Sequence, residues 1–163
     1  MRTLELLNEA REELVKEFHQ FSDEEINQKP DADTWSAKEL CEHLWKMEGY
    51  VMEQLADEKI EAKGAVYKPV RLTTMRQIKV EAPGMLQPEL GDISKDEILN
   101  HLFSRRMQLI EQYKKHKSAG RLKDSAKHPV FMRLKVKQWY DYIGYHEKRH
   151  TEQLKRIRQQ LNS

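Results

Sequence analysis

Apolar residues recur along most of this chain with helical rather than strand periodicity. Over residues 4–18, Leu7, Leu14 and Phe18 share one stripe while Glu, Arg and Lys fill the other faces, which predicts an amphipathic first helix. A second helix over residues 37–59 carries Leu40, His43, Met47, Tyr50 or Val51, and Leu55 on its stripe, and a third over 95–115 presents Ile98, Leu102, Leu109 and Tyr113. The fourth, residues 136–161, has the cleanest line: Trp139, Ile143, His146, His150, Leu154, Ile157 and Leu161, spaced by threes and fours. Two histidines interrupt an otherwise apolar line.

Start signals sharpen these elements. Ser22 with Glu25, Ser36 with Glu39, and Ser94 with Glu97 each fit the capping box, in which hydroxyl and carboxylate satisfy reciprocal orphan N–H groups. Trp35 before the second cap and Leu40 after it form a hydrophobic staple. Residues 62–93 change character: Gly64, Pro69, Pro83, Gly84, Pro88 and Gly91 fall there with no sustained period, predicting a long connection. A helix of some 22 residues is about 33 Å long, so this segment can return along a bundle's whole length and let helices two and three run parallel, as a crossover. A second loop, 118–135, contains the His128-Pro129 turn with apolar Val130 and Phe131.

Composition agrees with one soluble helical domain spanning residues 1–163, since 38% of residues are hydrophobic, 34% are charged, and glycine and proline are scarce. The net charge of +2 arises from 29 basic and 27 acidic residues scattered through one another, so no single-sign field exists to steer a nucleic acid. The lone Cys41 excludes an intramolecular disulfide, and the N-terminal stretch reads as an amphipathic helix rather than a signal peptide, which together imply the cytoplasm. No apolar run approaches the roughly 20 residues of a membrane span.

The chemistry lies in the histidines. Imidazoles at i and i+4, as His146 and His150 are, project in one direction about a turn apart, as two ligands of one metal require. His43 occupies the corresponding stripe of helix two, and antiparallel packing of helices two and four brings it to the pair. Three neutral imidazoles leave positions open on zinc, nickel, iron or manganese, at which water or a thiol is activated. Residues 146–150, His-Glu-Lys-Arg-His, also spell the H-E-x-x-H string of zinc proteases, with Glu147 in the general-base position. Only 13 residues follow His150, without another histidine, so the third ligand expected downstream in that class is missing. His19, His101 and His116 fall at surface or boundary positions and His128 in a loop, while Cys41 sits about 200° around the helix from His43.

With these residues in view, the chain resembles the DinB-like superfamily, in particular its YfiT-like branch. The resemblance rests on FSDEEINQKPDADTWSAKELCEHLWKME around the first histidine, on the Ala-Pro stretch KVEAPGMLQPE, and on HPVFMRLKVKQWYDYIGYHEKRHTEQLKRI with its His-Pro turn, tryptophan and HxxxH helix. It implies an all-α four-helix bundle of up-down-down-up topology with a long crossover between helices two and three. It further implies a divalent metal, nickel or zinc, on His43, His146 and His150, and a homodimer. Lys135 stands where the family has Thr or Ser at the start of helix four. Three activities follow as expectations. The first is transfer of a low-molecular-weight thiol of the bacillithiol type, with Arg71 and Arg76 of the 62–93 connection binding the cofactor; the second is hydrolysis of a small-molecule substrate with Glu147 as base; the third is non-catalytic metal binding in a stress response.

Overall fold

The computed structural model describes residues 2–74 and 84–163. Four helices form: α1 (Thr3–Phe18), α2 (Ala37–Gln54), α3 (Lys95–Ser118) and α4 (Val136–Leu161). Their relative directions follow from which residues meet. Thr3 donates to Asp141 at 2.7 Å near one end and Arg158 to Glu17 at 2.8 Å near the other, so α1 and α4 run parallel. Trp45 stacks on His101, and Gln112 reaches the Met52 carbonyl, so α2 and α3 are parallel too. Leu40 and Leu44 cluster with Leu154 and Ile157, whereas Val51 and Leu55 cluster with Trp139 and Ile143, so α2 and α4 are antiparallel. The bundle is therefore up-down-down-up, with the crossover between α2 and α3 that two parallel consecutive helices demand.

Each helix begins and ends for local reasons. At α2 the capping box is complete, Ser36 Oγ accepting from Glu39 N and Glu39 Oε1 accepting from Ser36 N, both at 3.1 Å. Ser94 caps α3 through the Glu97 amide, and the Ser22–Glu25 pair is reciprocal but opens a single 3-10 turn, Glu25–Asn27. Helix α2 ends at Gln54, five residues before the expected limit, and a 3-10 turn follows at Asp57–Lys59. Leu55 and Ile60 are both buried, and on one continuous helix they would point about 140° apart; breaking the helix turns both inward. Helix α3 runs past Lys115 to Ser118 and closes with Gly120 at φ 71, Arg121 N bonding His116 O and Gly120 N bonding Lys117 O, a Schellman motif.

The second loop holds an element that periodicity did not announce. Strands β1 (Ser125–His128) and β2 (Met132–Lys135) pair as an antiparallel hairpin, and Glu61 adds an isolated bridge to Ser125. Strands of four residues with two consecutive buried positions, Ser125 and Ala126, carry no alternation to detect.

The core is divided. One apolar cluster contains Leu7, Val51, Leu109 and Ile143; the other contains Leu14, Leu44, Leu102 and Leu154. Between them every helix contributes one charged residue, Arg11, Glu48, Arg106 and Glu147. Arg11 pairs with Glu48 at 2.5 Å and Glu147 at 3.0 Å; Arg106 pairs with the same two at 3.2 and 2.9 Å. Arg11 also donates to the Leu102 carbonyl and Arg106 to that of Leu7, both at 2.7 Å. The layer is electrically neutral with its charges paired, the condition under which ions can be kept away from water.

Candidate metal centre

Antiparallel α2 and α4 bring His43, His146 and His150 together. The Nε2 atom of His146 lies 3.3 Å from that of His43 and 3.1 Å from that of His150. The ring of His43 sits 5.0 Å from that of His150, so the three close into a triangle. His43 and His146 are buried, and His150 is half-buried.

Two of the three remaining ring nitrogens have partners. Nδ1 of His43 faces the Leu86 carbonyl at 3.0 Å, and Nδ1 of His150 faces Gln153 Oε1 at 2.8 Å. Since a carbonyl oxygen only accepts, both Nδ1 atoms carry the proton and both Nε2 atoms present lone pairs. His146 Nε2 can offer one hydrogen at most, which cannot serve two lone pairs on different sides. A divalent cation resolves that conflict, and ligand nitrogens around zinc or a similar ion stand about 3.0–3.4 Å apart for metal–nitrogen bonds near 2.1 Å. The donor set therefore fits a metal.

Electrostatics favour the same state. Burial pushes all three imidazoles below their ordinary pKa, His150 to about 3, with His150 and His43 adding to the effect on His146 and His43 to that on His150. Neutral imidazole is the ligating form. Aromatic rings complete the walls: Trp35 lies 5.0 Å from His43, and Tyr142 stacks on His146 at 5.5 Å.

The other candidates fall elsewhere. Glu147 is 1% exposed in the central charged layer, both its carboxylate oxygens engaged by Arg11 and one also by Arg106, so its side chain is committed to the two arginines rather than to the histidines. Arg71 is exposed on the 3-10 turn Val70–Thr74, and this segment is tied to the N-terminal part of α4 by the pairing of Lys68 with Gln138. Arg76 lies outside the described residues. Cys41 is fully buried in the apolar cluster beyond the histidines, where burial pushes its thiol up to about 12. His116 and His128, expected at a boundary and in a loop, are buried: the first against the Tyr140 hydroxyl at 2.7 Å, the second against Trp139.

Two partners of the site went unread in the sequence. Gln153, three residues after His150 and hence its neighbour on the helix surface, was open to inference from spacing. The Leu86 carbonyl was not, because a backbone oxygen leaves no mark in residue identity.

A family model described as the DinB superfamily matches residues 6–154. The chain is 36% identical over 160 residues to the uncharacterized protein YuaE of Bacillus subtilis (strain 168), covering 97% of this chain and 98% of that protein. Its fold is similar to the crystal structure of TT2238, a four-helix bundle protein, with TM-score 0.60 and 18% identity over 94% of this chain and 96% of the other.

Proposed function

The chain belongs to the DinB superfamily, and from that premise we propose that it is a metal-dependent enzyme acting on a small molecule, with nickel or zinc, or else iron or manganese, held by His43, His146 and His150. What supports this reading most is that three Nε2 atoms converge while two of the opposite ring nitrogens are tied to Leu86 and Gln153. When bound, such an ion supplies an open coordination position at which a thiol or a water is more acidic than in solution.

The reaction we assign first is thiol S-transfer with a bacillithiol-type cofactor. The thiol sulfur forms the new bond to an electrophilic carbon, and the thiol proton departs with the displaced group. The chain's residues contribute position and environment: neutral imidazoles leave the ion's two positive charges uncompensated, which favours an anionic sulfur over a neutral one. Trp35 and Tyr142 line the surroundings with apolar surface. Hydrolysis is the lesser reading, because it calls for a proton acceptor and Glu147 is committed to Arg11 and Arg106.

The test begins with elemental analysis of protein purified without added metal, for wild type, His43→Ala and His150→Ala. The expected result is a stoichiometric divalent ion in wild type and at least about a tenfold loss of affinity in each variant. Equal content in all three overturns the site. With metal loaded, consumption of a thiol together with an electrophile supports the transferase; ester turnover without thiol supports the hydrolase; no turnover of either leaves a metal-binding protein.

A further inference from the structure

The end of the crossover is fastened to α2 by side chains that belong to neither the core nor the histidine triangle. Lys38, Glu42 and Lys46 recur every four residues and form one stripe of α2, with His43 next to Glu42 in the chain. Glu42, 0% exposed, accepts from the Glu89 amide at 2.6 Å and from the Leu90 amide at 3.2 Å. Lys38 donates to Glu42 and to the Leu90 carbonyl. Lys46 donates to the Gln87 carbonyl at 2.9 Å and pairs with Glu42 at 3.3 Å and Glu89 at 2.8 Å. Three side chains thus hold backbone groups of residues 87, 89 and 90, directly after Leu86, whose carbonyl receives the Nδ1 proton of His43 at 3.0 Å.

We propose that Glu42, flanked by Lys38 and Lys46, is a positioning residue for the metal centre, acting through the crossover backbone to hold the Leu86 carbonyl against His43. The inference rests on the reading of the three histidines as a metal site. Its physical content is a linkage. The Leu86 carbonyl sets which nitrogen of His43 carries the proton and how the ring is turned, as partners behind a ligating histidine do. A crossover released from Glu42 no longer presents that carbonyl. Because coupling between two equilibria is reciprocal, an ion on His43 must tighten the crossover by the factor through which the clamp tightens the ion.

Two measurements test it on the full-length protein with Zn²⁺ as the probe. In the first, Zn²⁺ affinity is compared for wild type, Glu42→Gln and Tyr140→Phe. The last removes hydroxyl bonds to His116 and Gln112 at the far end of the bundle and controls for general loss of stability. Glu42→Gln should bind about tenfold more weakly, in the range seen for partners behind metal ligands, and Tyr140→Phe should bind as wild type does. In the second, amide hydrogen exchange of Glu89 and Leu90 is followed in wild type with and without Zn²⁺, and saturating ion should slow it by up to a similar factor. Unchanged affinity in Glu42→Gln, an equal loss in Tyr140→Phe, or Zn²⁺-insensitive exchange overturns the clamp while leaving the metal centre standing. Absence of Zn²⁺ binding by wild type overturns both. Should Glu42→Gln not fold, the exchange measurement on wild type decides.

Discussion

Gln153 stands one helical turn beyond His150 and accepts its Nδ1 proton at 2.8 Å. The amide oxygen turns the imidazole so that Nε2 faces the other two histidines, and it also adds electron density to the ring. Removing it frees the ring; replacing it with a charged acceptor strengthens the same bond. Gln153→Ala should weaken divalent-metal binding about tenfold, while Gln153→Glu should bind at least as tightly as wild type. Competition titration against a chromogenic chelator reads both, and identical affinities for the three proteins would remove Gln153 from the site.

The layer of Arg11, Glu48, Arg106 and Glu147 makes a different demand. Deleting one member leaves a buried charge without its partner, which costs about 3–5 kcal/mol, whereas removing an oppositely charged pair leaves a smaller, still neutral set. Glu147→Met should therefore lose about that much stability, and Glu147→Met with Arg106→Met should recover part of it, since Arg11 and Glu48 still pair. Urea unfolding measures the cycle. A double variant no more stable than the single one would mean that the layer is held by something other than charge pairing.

Those four residues also explain what could be read from the chain and what could not. The four apolar stripes and the Ser36–Glu39 and Ser94–Glu97 starts located the helices, because periodicity and capping are local properties. His43, His146 and His150 were legible for the same reason: each stands where an apolar residue would otherwise be. Arg11, Glu48, Arg106 and Glu147 stand among the charged residues of the same helices, yet their partners lie 37 to 136 residues away and nothing local pairs them. The string His-Glu-Lys-Arg-His suggested a base at Glu147; one residue on from His146, its side chain is turned about 100° around the helix into the charged layer. The early end of α2 and the hairpin at residues 125–135 depend on tertiary burial of Leu55, Ile60 and Ala126.

Gly144 of α4 packs directly against Leu6 of α1. A Cβ there would stand 2.5 Å from Leu6 Cγ and 3.0 Å from its Cδ2, and Leu6 is itself 1% exposed. Alanine ordinarily improves a helix interior by about 0.5–1 kcal/mol over glycine, but overpacking of this kind costs about 1–3 kcal/mol. Gly144→Ala should lower the melting temperature, and Leu6→Ala in the same chain should restore part of the loss, each measured by thermal denaturation. A stabilised Gly144→Ala would show that the helices separate without cost.

His128 ties stability to pH. Its Nδ1 accepts from the amides of Val130 at 3.0 Å and Phe131 at 3.1 Å, so a proton there would break the turn of the hairpin. Burial pushes its pKa down to about 4 from the ordinary 6.5. The folded state thus prefers neutral His128, and the unfolded chain takes up the proton first as pH falls. The stabilisation is whole above pH 6.5, declines below it and is exhausted near pH 4, with a slope of at most about 1.4 kcal/mol per pH unit. His128→Asn keeps an acceptor and cannot titrate, so its melting temperature should fall less steeply than that of wild type between those limits. The difference between the two proteins isolates His128 from the other buried histidines, which titrate in both. Parallel curves from pH 7 to pH 4 would mean that His128 keeps the same pKa folded and unfolded.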